Sequence, residues 1–229
     1  GQPISRNAIV ALAAAIGADD YPGGTVVTDS ITSNELHTFL EDNLGLKHLR
    51  YKRGYKNVIN KAIELSQEGE NAFLAIETSG HAAYSDNFYL DDGAFLAVQT
   101  IINAANLKKE GKGIEHMIAD LAEPAESVEI RFNLTTDNFS EVGDNILEDM
   151  KAWTEQTKGL SLELPNYEGV RINYSLDGHE GWFLLRKSLH DPVMPLNVES
   201  SSEGGVELAL ALIKEFLTGR EGIDITVLD

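Results

Sequence analysis

The order of apolar patterns along this chain constrains its fold more than any other feature. Up to about residue 122, short β-branched or apolar segments alternate with segments whose apolar residues recur at helical spacing, and the connections are short. This alternation predicts an α/β three-layer domain with a mixed sheet. After Ala122–Glu126 several strand segments are grouped between two flanking helices, which predicts a small α+β domain. We therefore expect two domains, residues 1–123 and 124–229.

The same patterns predict the individual elements. Helices are expected over residues 9–16, 34–44, 57–67, 93–106, 113–121, 139–157 and 206–217. Strands are expected over residues 25–28, 46–53, 72–76, 127–134, 160–164, 170–174 and 181–186, with 196–199 as a further candidate. Ser33 is expected to cap the second helix, Asp92 to start the fourth, and Ser201 or Ser202 to cap the last.

Composition and charge exclude several classes of protein. The formal net charge of −19 disfavours binding to nucleic acid and to anionic membranes, and no apolar run approaches the roughly 18 residues of a membrane span. Cysteine is absent, which excludes disulfides, thiolate metal sites and a cysteine nucleophile and is consistent with a cytoplasmic protein. The chain begins with Gly rather than Met, so we expect it to be part of a longer protein.

Basic residues are concentrated in one short segment of this acidic chain. Two interpretations remain open, a basic surface segment that balances acidic neighbours and a site for a small anion such as phosphate. The residues of this basic segment are Lys47, His48, Arg50, Lys52, Arg53 and Lys56.

The sequence Glu77-Thr78-Ser79-Gly80-His81 directly follows the predicted strand over residues 72–76. It places a carboxylate, hydroxyls, a glycine and an imidazole within five residues, a combination suited to a polyhydroxylated ligand. Ligands of such sheets bind beyond the carboxyl ends of the strands, where residues 29–33 are also expected. An ordinary polar turn is the alternative interpretation.

A second polar loop, Arg186-Lys187-Ser188-Leu189-His190-Asp191-Pro192, follows the apolar segment 182–185. A guanidinium matches phosphate geometry bidentately, while a hydroxyl, an imidazole and exposed backbone N–H groups add further donors. The loop therefore predicts a phosphate site. The alternative is an edge strand that ends in a polar turn, with Arg186 paired to a nearby acid.

Taken together, these motifs resemble the last two of the four domains of the α-D-phosphohexomutases, the phosphomannomutase/phosphoglucomutase family. Residues 77–81 are similar to the family's sugar-binding loop Glu-x-Ser-Gly-His, and residues 186–192 to its phosphate-binding loop Arg-x-Ser-Asn-Thr-Glu-Pro. Lys52-Arg53-Gly54-Tyr55, Asp91-Asp92-Gly93 and Gly169-Val170-Arg171 resemble the family's flanking motifs and stand in the same order. The resemblance extends from about Ile4 to Leu217.

The resemblance implies a role for each of these residues. Sugar hydroxyls would be bound by Glu77, Ser79, His81 and Tyr55. The non-reacting phosphate would be bound by Arg186, Ser188, Leu189 and His190, and Lys52 and Arg53 would line the same cleft. The chain departs from the family pattern at four positions: Tyr55 replaces His or Asp, Leu189 replaces Asn, His190 replaces Thr and Asp191 replaces Glu.

The resemblance also implies an activity that this chain would carry out only as part of a longer protein. Family members move a phosphoryl group between the 1 and 6 positions of a hexose phosphate through a phosphoserine and a bisphosphate intermediate. The phosphoserine loop and the Asp-Gly-Asp-x-Asp loop that binds Mg²⁺ have no counterpart here, since Asp177-Gly178-His179-Glu180 supplies only one of the needed acids. We therefore expect hexose phosphate and a missing N-terminal half as partners, Mg²⁺ in that half, and an inactive isolated chain.

Three other functions remain possible from the sequence. The chain could be a stand-alone sugar-phosphate-binding module without catalytic duty. A Ser/His hydrolase would use Ser79 and His81, although neighbours at i and i+2 seldom align as nucleophile and base. A metal site would use His81, Asp86, Asp91 and Asp92, although acids at a helix start more often cap the helix.

Overall fold

The computed structural model describes residues 3–188 and 191–229. The chain divides into two compact units, Gly1–Ala122 and Glu123–Asp229. None of the helices in the described ranges has the length and apolar character needed to cross a membrane.

The first unit consists of four α-helices, four strands and three short helical turns. The helices are α1 (Arg6–Ala18), α2 (Asn34–Thr38), α3 (Tyr55–Gln67) and α4 (Gly93–Lys109). The strands are β1 (Thr25–Asp29), β2 (Lys47–Tyr51), β3 (Leu74–Ile76) and β4 (Ala82–Tyr84). The single turns are a wide π-type turn, Phe39–Asn43, and two 3-10 turns, Ser85–Asn87 and Ile114–Ile118.

The strands of the first unit form one mixed sheet in the order β2-β1-β3-β4. β1 is parallel to both β2 and β3, while β4 returns antiparallel to β3. Because β1, β2 and β3 run in the same direction, their carboxyl ends lie at the same edge of the sheet. The segments that follow Asp29, Tyr51 and Ile76 therefore lie side by side, and the candidate functional site is built from them.

Helices cover both faces of this sheet, as the continuous burial of its inner strands requires. Val26, Leu74 and Ile76 belong to a core shared with α1 and α4. Val27 and Ala75, whose side chains point to the other face, pack with the apolar side of α3. The first unit is therefore a three-layer α/β/α structure with a mixed sheet.

The second unit packs two helices, α5 (Phe139–Gln156) and α6 (Gly205–Leu217), in one core with a six-stranded sheet. The sheet is antiparallel throughout and has the order β10-β5-β9-β8-β7-β6. Its strands are β5 (Glu126–Leu134), β6 (Leu160–Leu162), β7 (Val170–Leu176), β8 (His179–Leu185), β9 (Val193–Ser200) and β10 (Ile223–Asp224). This is an α+β arrangement, so the fold class expected from the sequence is confirmed for both units.

Several local elements differ from the sequence predictions. The helix expected over 113–121 is only the 3-10 turn Ile114–Ile118, and the helix expected over 34–44 changes to the π-type turn after Thr38. The strand expected over 46–53 stops at Tyr51, which leaves Lys52 and Arg53 in a turn. Strands β4 and β10 have only three and two residues, too few to show an apolar alternation.

Two of the three predicted caps are confirmed. The Ser33 hydroxyl accepts the Leu36 N–H, and Asp92 accepts the N–H groups of Ala94 and Phe95. The prediction of Ser201 or Ser202 as the cap of α6 is wrong, because Gly204 occupies that position in a left-handed conformation. The carboxylate of Glu126, from the start of β5, accepts the Val206 N–H instead, a contact distant in sequence that local patterns do not reveal.

Close packing of α1 against Phe73 gives a test of the first unit. A Cβ at Gly17 would lie 2.6 Å from Cε2 of the buried Phe73 ring. We expect Gly17→Ala to lower the free energy of unfolding by about 1–3 kcal/mol through overpacking. Gly93→Ala is the matched control, since nothing lies within 4 Å of its Cβ. Urea unfolding followed through amide signals of β1 would measure both, and equal stability of the two variants would contradict this packing.

Candidate functional site

Three polar segments meet at the carboxyl edge of the parallel strands in the first unit. Asp29 ends β1, Arg53 and Gly54 follow β2, and Glu77 and Thr78 follow β3. Hydrogen bonds and an ion pair connect each segment to the other two. We refer to these five residues as the strand-end brace.

Asp29 is the centre of the brace. Its side chain is 1% exposed, and its two carboxylate oxygens accept the two donors of Thr78. The Thr78 backbone N–H donates to Oδ1 at 3.2 Å, and the Thr78 hydroxyl donates to Oδ2 at 2.9 Å. The guanidinium Nε of Arg53 lies 3.8 Å from Oδ2. One buried carboxylate thus connects the central strand to both neighbouring loops.

Glu77 closes the brace from the other side. Its carboxylate is also buried, with 7% of the residue exposed, and its Oε1 accepts the Gly54 N–H at 2.7 Å. Gly54 has φ 106° and ψ 118°, a conformation that only glycine adopts readily. The glycine is therefore needed to direct this N–H at the carboxylate. One oxygen of Glu77 is held by protein, and the other can accept from a ligand hydroxyl.

Residues 77–81 form the tight connection of the β3–β4 hairpin. The Gly80 N–H donates to the Glu77 carbonyl and the Glu77 N–H donates to the His81 carbonyl, both at 2.9 Å. Gly80 has φ 94°, so the turn requires glycine at this position. Ser79 lies exposed at the tip of the hairpin. The spacing of the motif is thus explained by the geometry of a hairpin.

His81 is held by two side chains. Its Nδ1 lies 2.7 Å from Oδ2 of Asp91, and its ring stacks on Tyr55 with centroids 5.0 Å apart and planes 22° apart. Tyr55 is the first residue of α3, directly after Gly54. Three of the residues expected to bind sugar, Glu77, His81 and Tyr55, therefore come together, and Ser79 belongs to the same turn.

Burial dominates the electrostatics of Asp29. It raises the pKa of this carboxyl from 3.8 to about 6, and the nearby negative charge of Glu77 acts in the same direction. The hydrogen bonds from Thr78 and the positive charge of Arg53 lower the pKa, but they do not offset the burial. Asp29 is therefore a carboxylate whose protonation changes near pH 6.

The basic segment around β2 divides into two groups. His48 Nε2 lies 2.8 Å from the Thr28 hydroxyl, and Arg50 donates to the Thr32 hydroxyl at 3.1 Å and to the Ser33 carbonyl at 2.7 Å. Arg50 thus holds the loop after β1, and His48 contacts β1 itself. Lys52 is exposed beside Arg53, which contributes to the brace.

The acids considered for a metal site have other partners. Asp91 pairs with His81, Asp92 caps α4, and Asp86 accepts a hydrogen bond from Tyr21. Within residues 3–188 and 191–229, no three His, Asp or Glu side chains form a group that could hold a metal ion. Likewise, no hydrogen bond in these ranges joins Ser79 to His81, as a hydrolase would need.

The predicted phosphate loop connects β8 to β9 in the second unit. The Arg186 N–H donates to the Pro195 carbonyl at 3.1 Å, and the Ser188 N–H donates to the Val193 carbonyl at 2.9 Å. The Ser188 hydroxyl accepts the Asp191 N–H at 3.3 Å. Hydrogen bonds therefore fix the backbone of this loop at Arg186 and Ser188. Leu189 and His190, the other two predicted phosphate ligands, lie outside the described residues.

Lys187 anchors this loop to α5. Its Nζ lies 2.6 Å from Oδ1 of Asp144 and donates to the carbonyl and hydroxyl of Ser140 at 3.1 Å. Gly143 makes room for this side chain, since a Cβ there would lie 2.6 Å from Lys187 Cδ. Lys187 therefore has a structural role, although it lies in sequence between Arg186 and Ser188, the two candidate phosphate ligands.

Sequence patterns missed part of the site. Asp29 was expected at a strand end, but its two bonds to Thr78 join residues 49 positions apart and leave no local signal. The sequence indicates Asp91 as part of a family motif and as a possible metal ligand or cap, but it does not reveal that Asp91 holds the imidazole of His81. The indications of the Gly54 turn in the sequence are an isolated glycine between basic and aromatic residues and the resemblance of residues 52–55 to a family motif.

Comparison with protein families agrees with this geometry. Residues 5–124 match the family model for phosphoglucomutase/phosphomannomutase, alpha/beta/alpha domain III. The chain belongs to the phosphoglucomutase/phosphomannomutase family. Similar curated proteins are named phosphomannomutase/phosphoglucomutase, from Pseudomonas putida (26% identity) and Pseudomonas aeruginosa (24% identity). Each match covers 81% of this chain and 36% of the relative, so the chain matches about a third of the length of these relatives.

Solved structures support the fold of both units. A phosphoglucomutase/phosphomannomutase family protein from Burkholderia thailandensis aligns over 96% of this chain and 43% of its own, with a TM-score of 0.73 and 22% identity. An N-acetylphosphoglucosamine mutase from Aspergillus fumigatus, solved with GlcNAc-6P and magnesium, aligns over 94% of this chain and 43% of its own. Its TM-score is 0.57 and its identity 12%, so it indicates the fold alone.

The raised pKa of Asp29 predicts a specific pH dependence of stability. The folded-state pKa is about 6 and the ordinary value 3.8, so this group contributes most to stability below about pH 4 and loses that contribution as pH rises through 6. The expected loss is about 3 kcal/mol in the free energy of unfolding. Urea unfolding between pH 4 and 7.5, followed through β1 amides, should show this slope in the original chain and not in Asp29→Asn. Parallel pH profiles would contradict the assignment.

Proposed function

We propose that this chain supplies the sugar-binding and phosphate-binding parts of a phosphohexomutase. The whole enzyme would interconvert hexose 1-phosphate and hexose 6-phosphate through a phosphoserine and a bisphosphate intermediate. Family membership and the names of the Pseudomonas relatives support glucose or mannose phosphates as substrates. The observation that carries the proposal is the buried Glu77 carboxylate, fixed by Gly54 at the carboxyl edge of the parallel strands.

The first unit would recognise the sugar hydroxyls. Glu77 has one oxygen bonded to Gly54, and its other oxygen would accept from one or two hydroxyls. Ser79, exposed at the hairpin tip, would donate or accept beside it. Because the Glu77 carboxylate is already desolvated and oriented, its bonds to hydroxyls would form without reorganisation of the loop.

His81 and Tyr55 would add a planar, partly polar wall to this site. The stacked rings limit each other's movement, and Asp91 orients the imidazole through Nδ1. The Nε2 atom of His81 would then be directed to a hydroxyl. Lys52 and Arg53 would contribute positive charge near the negatively charged ligand, an attraction that the net charge of −19 otherwise disfavours.

The second unit would bind the phosphate that does not react. Arg186 would supply the bidentate guanidinium, and Ser188 its hydroxyl, from a loop held by β9 and by Lys187. Leu189 and His190 complete the family loop in sequence. Binding energy from this remote phosphate would orient the reacting end of the sugar, which is how distant contacts accelerate phosphoryl transfer.

The sequence contains no counterpart of the family's phosphoserine loop or of its acidic metal loop. Phosphoserine and Mg²⁺ chemistry would reside in another part of the whole protein, where the metal would neutralise charge on the transferring phosphoryl. Residues 177–180 supply only one of the acids of the family's metal loop, and in the part of the chain that the structure describes no three His, Asp or Glu side chains form a group that could hold a metal ion. We therefore assign binding and orientation, and no chemical step, to these residues.

Calorimetric titration with glucose 6-phosphate tests the proposal. We expect the 229-residue chain to bind it, and Arg186→Ala to weaken binding at least tenfold, the loss expected for one charge-assisted bidentate contact. Arg131→Ala is the matched control, because Arg131 is an exposed arginine of the same unit that bonds only to Glu129 among the contacts described.

The proposed contact between Glu77 and the sugar is tested by a second pair of variants. Glu77→Gln keeps the size of the side chain and removes its charge, so we expect several-fold weaker binding of glucose 6-phosphate and unchanged binding of inorganic phosphate. Glu64→Gln, at an exposed glutamate of the same unit, is the control.

Failure of the chain to bind glucose 6-phosphate at millimolar concentration would contradict the proposal. Tight binding together with a full-length protein that does not isomerise would favour the stand-alone binding module.

A further inference from the structure

Thr78 occupies a special position in the hairpin turn. It lies between Glu77 and Ser79, the two residues of the turn proposed to contact sugar, yet its own side chain points away from them to Asp29. Both its hydrogen-bond donors, the backbone N–H and the hydroxyl, go to the two oxygens of that carboxylate. The path of the backbone between the two proposed ligands is therefore set by a residue from another strand.

We propose that Asp29 is a positioning residue that holds the sugar-binding turn in its binding conformation while ionised and loosens it when protonated. This inference rests on the function proposed above for Glu77 and Ser79. It adds to that function a residue that does not touch the ligand and a dependence of ligand binding on pH.

Charge is what makes these contacts strong. Hydrogen bonds to an ionised carboxylate are roughly twice as strong as those between neutral groups. Protonation places a hydrogen on one of the two oxygens that accept from Thr78, which weakens that oxygen as an acceptor or, at Oδ2, reverses its bond with the Thr78 hydroxyl. It also removes the attraction of Arg53, 3.8 Å away, and with it the ion pair that joins the segment after β2 to the end of β1.

The groups around Asp29 allow protonation in an accessible pH range. Burial raises the pKa of Asp29 most and Glu77 from the β3 turn raises it further, and together they outweigh the lowering by the Thr78 hydrogen bonds and by Arg53, giving a value of about 6. On β2, Tyr51 is the register partner of Asp29, while Arg50 and His48 point to the loop after β1 and to Thr28. His81, on the same turn as Thr78, is paired with Asp91.

Nuclear magnetic resonance of the 229-residue chain tests the positioning role without any ligand. We expect the carboxyl carbon of Asp29 and the amide of Thr78 to titrate with one shared midpoint near pH 6, and the amides of Ser79 and Gly80 to follow it. The amide of Ala94, which donates to the partly exposed side chain of Asp92, is the control, because the pKa of Asp92 is lowered and its transition falls at more acid pH. A Thr78 amide that does not follow the Asp29 carboxyl would overturn the proposal.

Glucose 6-phosphate affinity between pH 5 and 7.5 tests the consequence for binding. The original chain should lose up to about tenfold more affinity on acidification than Asp29→Asn, whose remaining pH dependence reports the ligand phosphate and the histidines. Thr78→Val, which removes only the hydroxyl donor, should bind weakly at both ends of this range. Equal pH dependence of the original chain and Asp29→Asn would overturn the proposal.

The two measurements separate this inference from the function on which it rests. If the Thr78 amide follows Asp29 but no sugar phosphate binds at any pH, the proposed function fails and the positioning of the turn by Asp29 stands. If glucose 6-phosphate binds and Thr78 does not respond to Asp29, the function stands and the positioning role is wrong. Should Asp29→Asn not fold, the titration of the original chain alone decides the second point.

Discussion

The buried carboxylate of Asp29 is the interaction on which the rest of the candidate site depends. Parallel strands bring three loops to one edge of a sheet, but proximity alone does not fix loop conformation. Asp29 fixes it by accepting both donors of Thr78 and attracting Arg53, and Glu77 completes the ring through Gly54. Because burial disfavours its charge, the ionised Asp29 lowers the free energy of unfolding near neutral pH. Buried groups with shifted pKa values of this kind are common at ligand-binding and catalytic sites.

The loops of the two units are held by different kinds of contact. In the first, neighbouring parallel strands brace one another's ends through side chains. In the second, the loop between antiparallel strands is held by backbone bonds such as Ser188 to Val193, and by Lys187 reaching α5. A carboxylate suits recognition of neutral hydroxyls and a guanidinium suits an anion, so each unit offers the chemistry that one end of a sugar phosphate requires.

Patterns in the sequence were sufficient for the fold class, because apolar periodicity reports which faces are buried. The resemblance to family motifs grouped Glu77, Ser79, His81 and Tyr55, and strand-end geometry alone pointed to residues 77–81 and 29–33. Sequence patterns failed where a contact joins distant positions: the cap that Glu126 provides for α6, the bonds of Asp29 to Thr78 and the pairing of the two-residue strand β10. The roles of the predicted ligands stay predictions, since binding depends on molecules that the chain alone does not include.

The central claim is that hydroxyl recognition and phosphate recognition reside in different units of this chain. The most direct measurement is amide chemical-shift mapping with two separate probes, glucose and inorganic phosphate. We predict that glucose shifts the amides of residues 53–55 and 77–81, and that phosphate shifts those of residues 186–188, 191 and 193. Shifts by both probes in one unit only, or by either probe mainly outside these loops, would contradict the account.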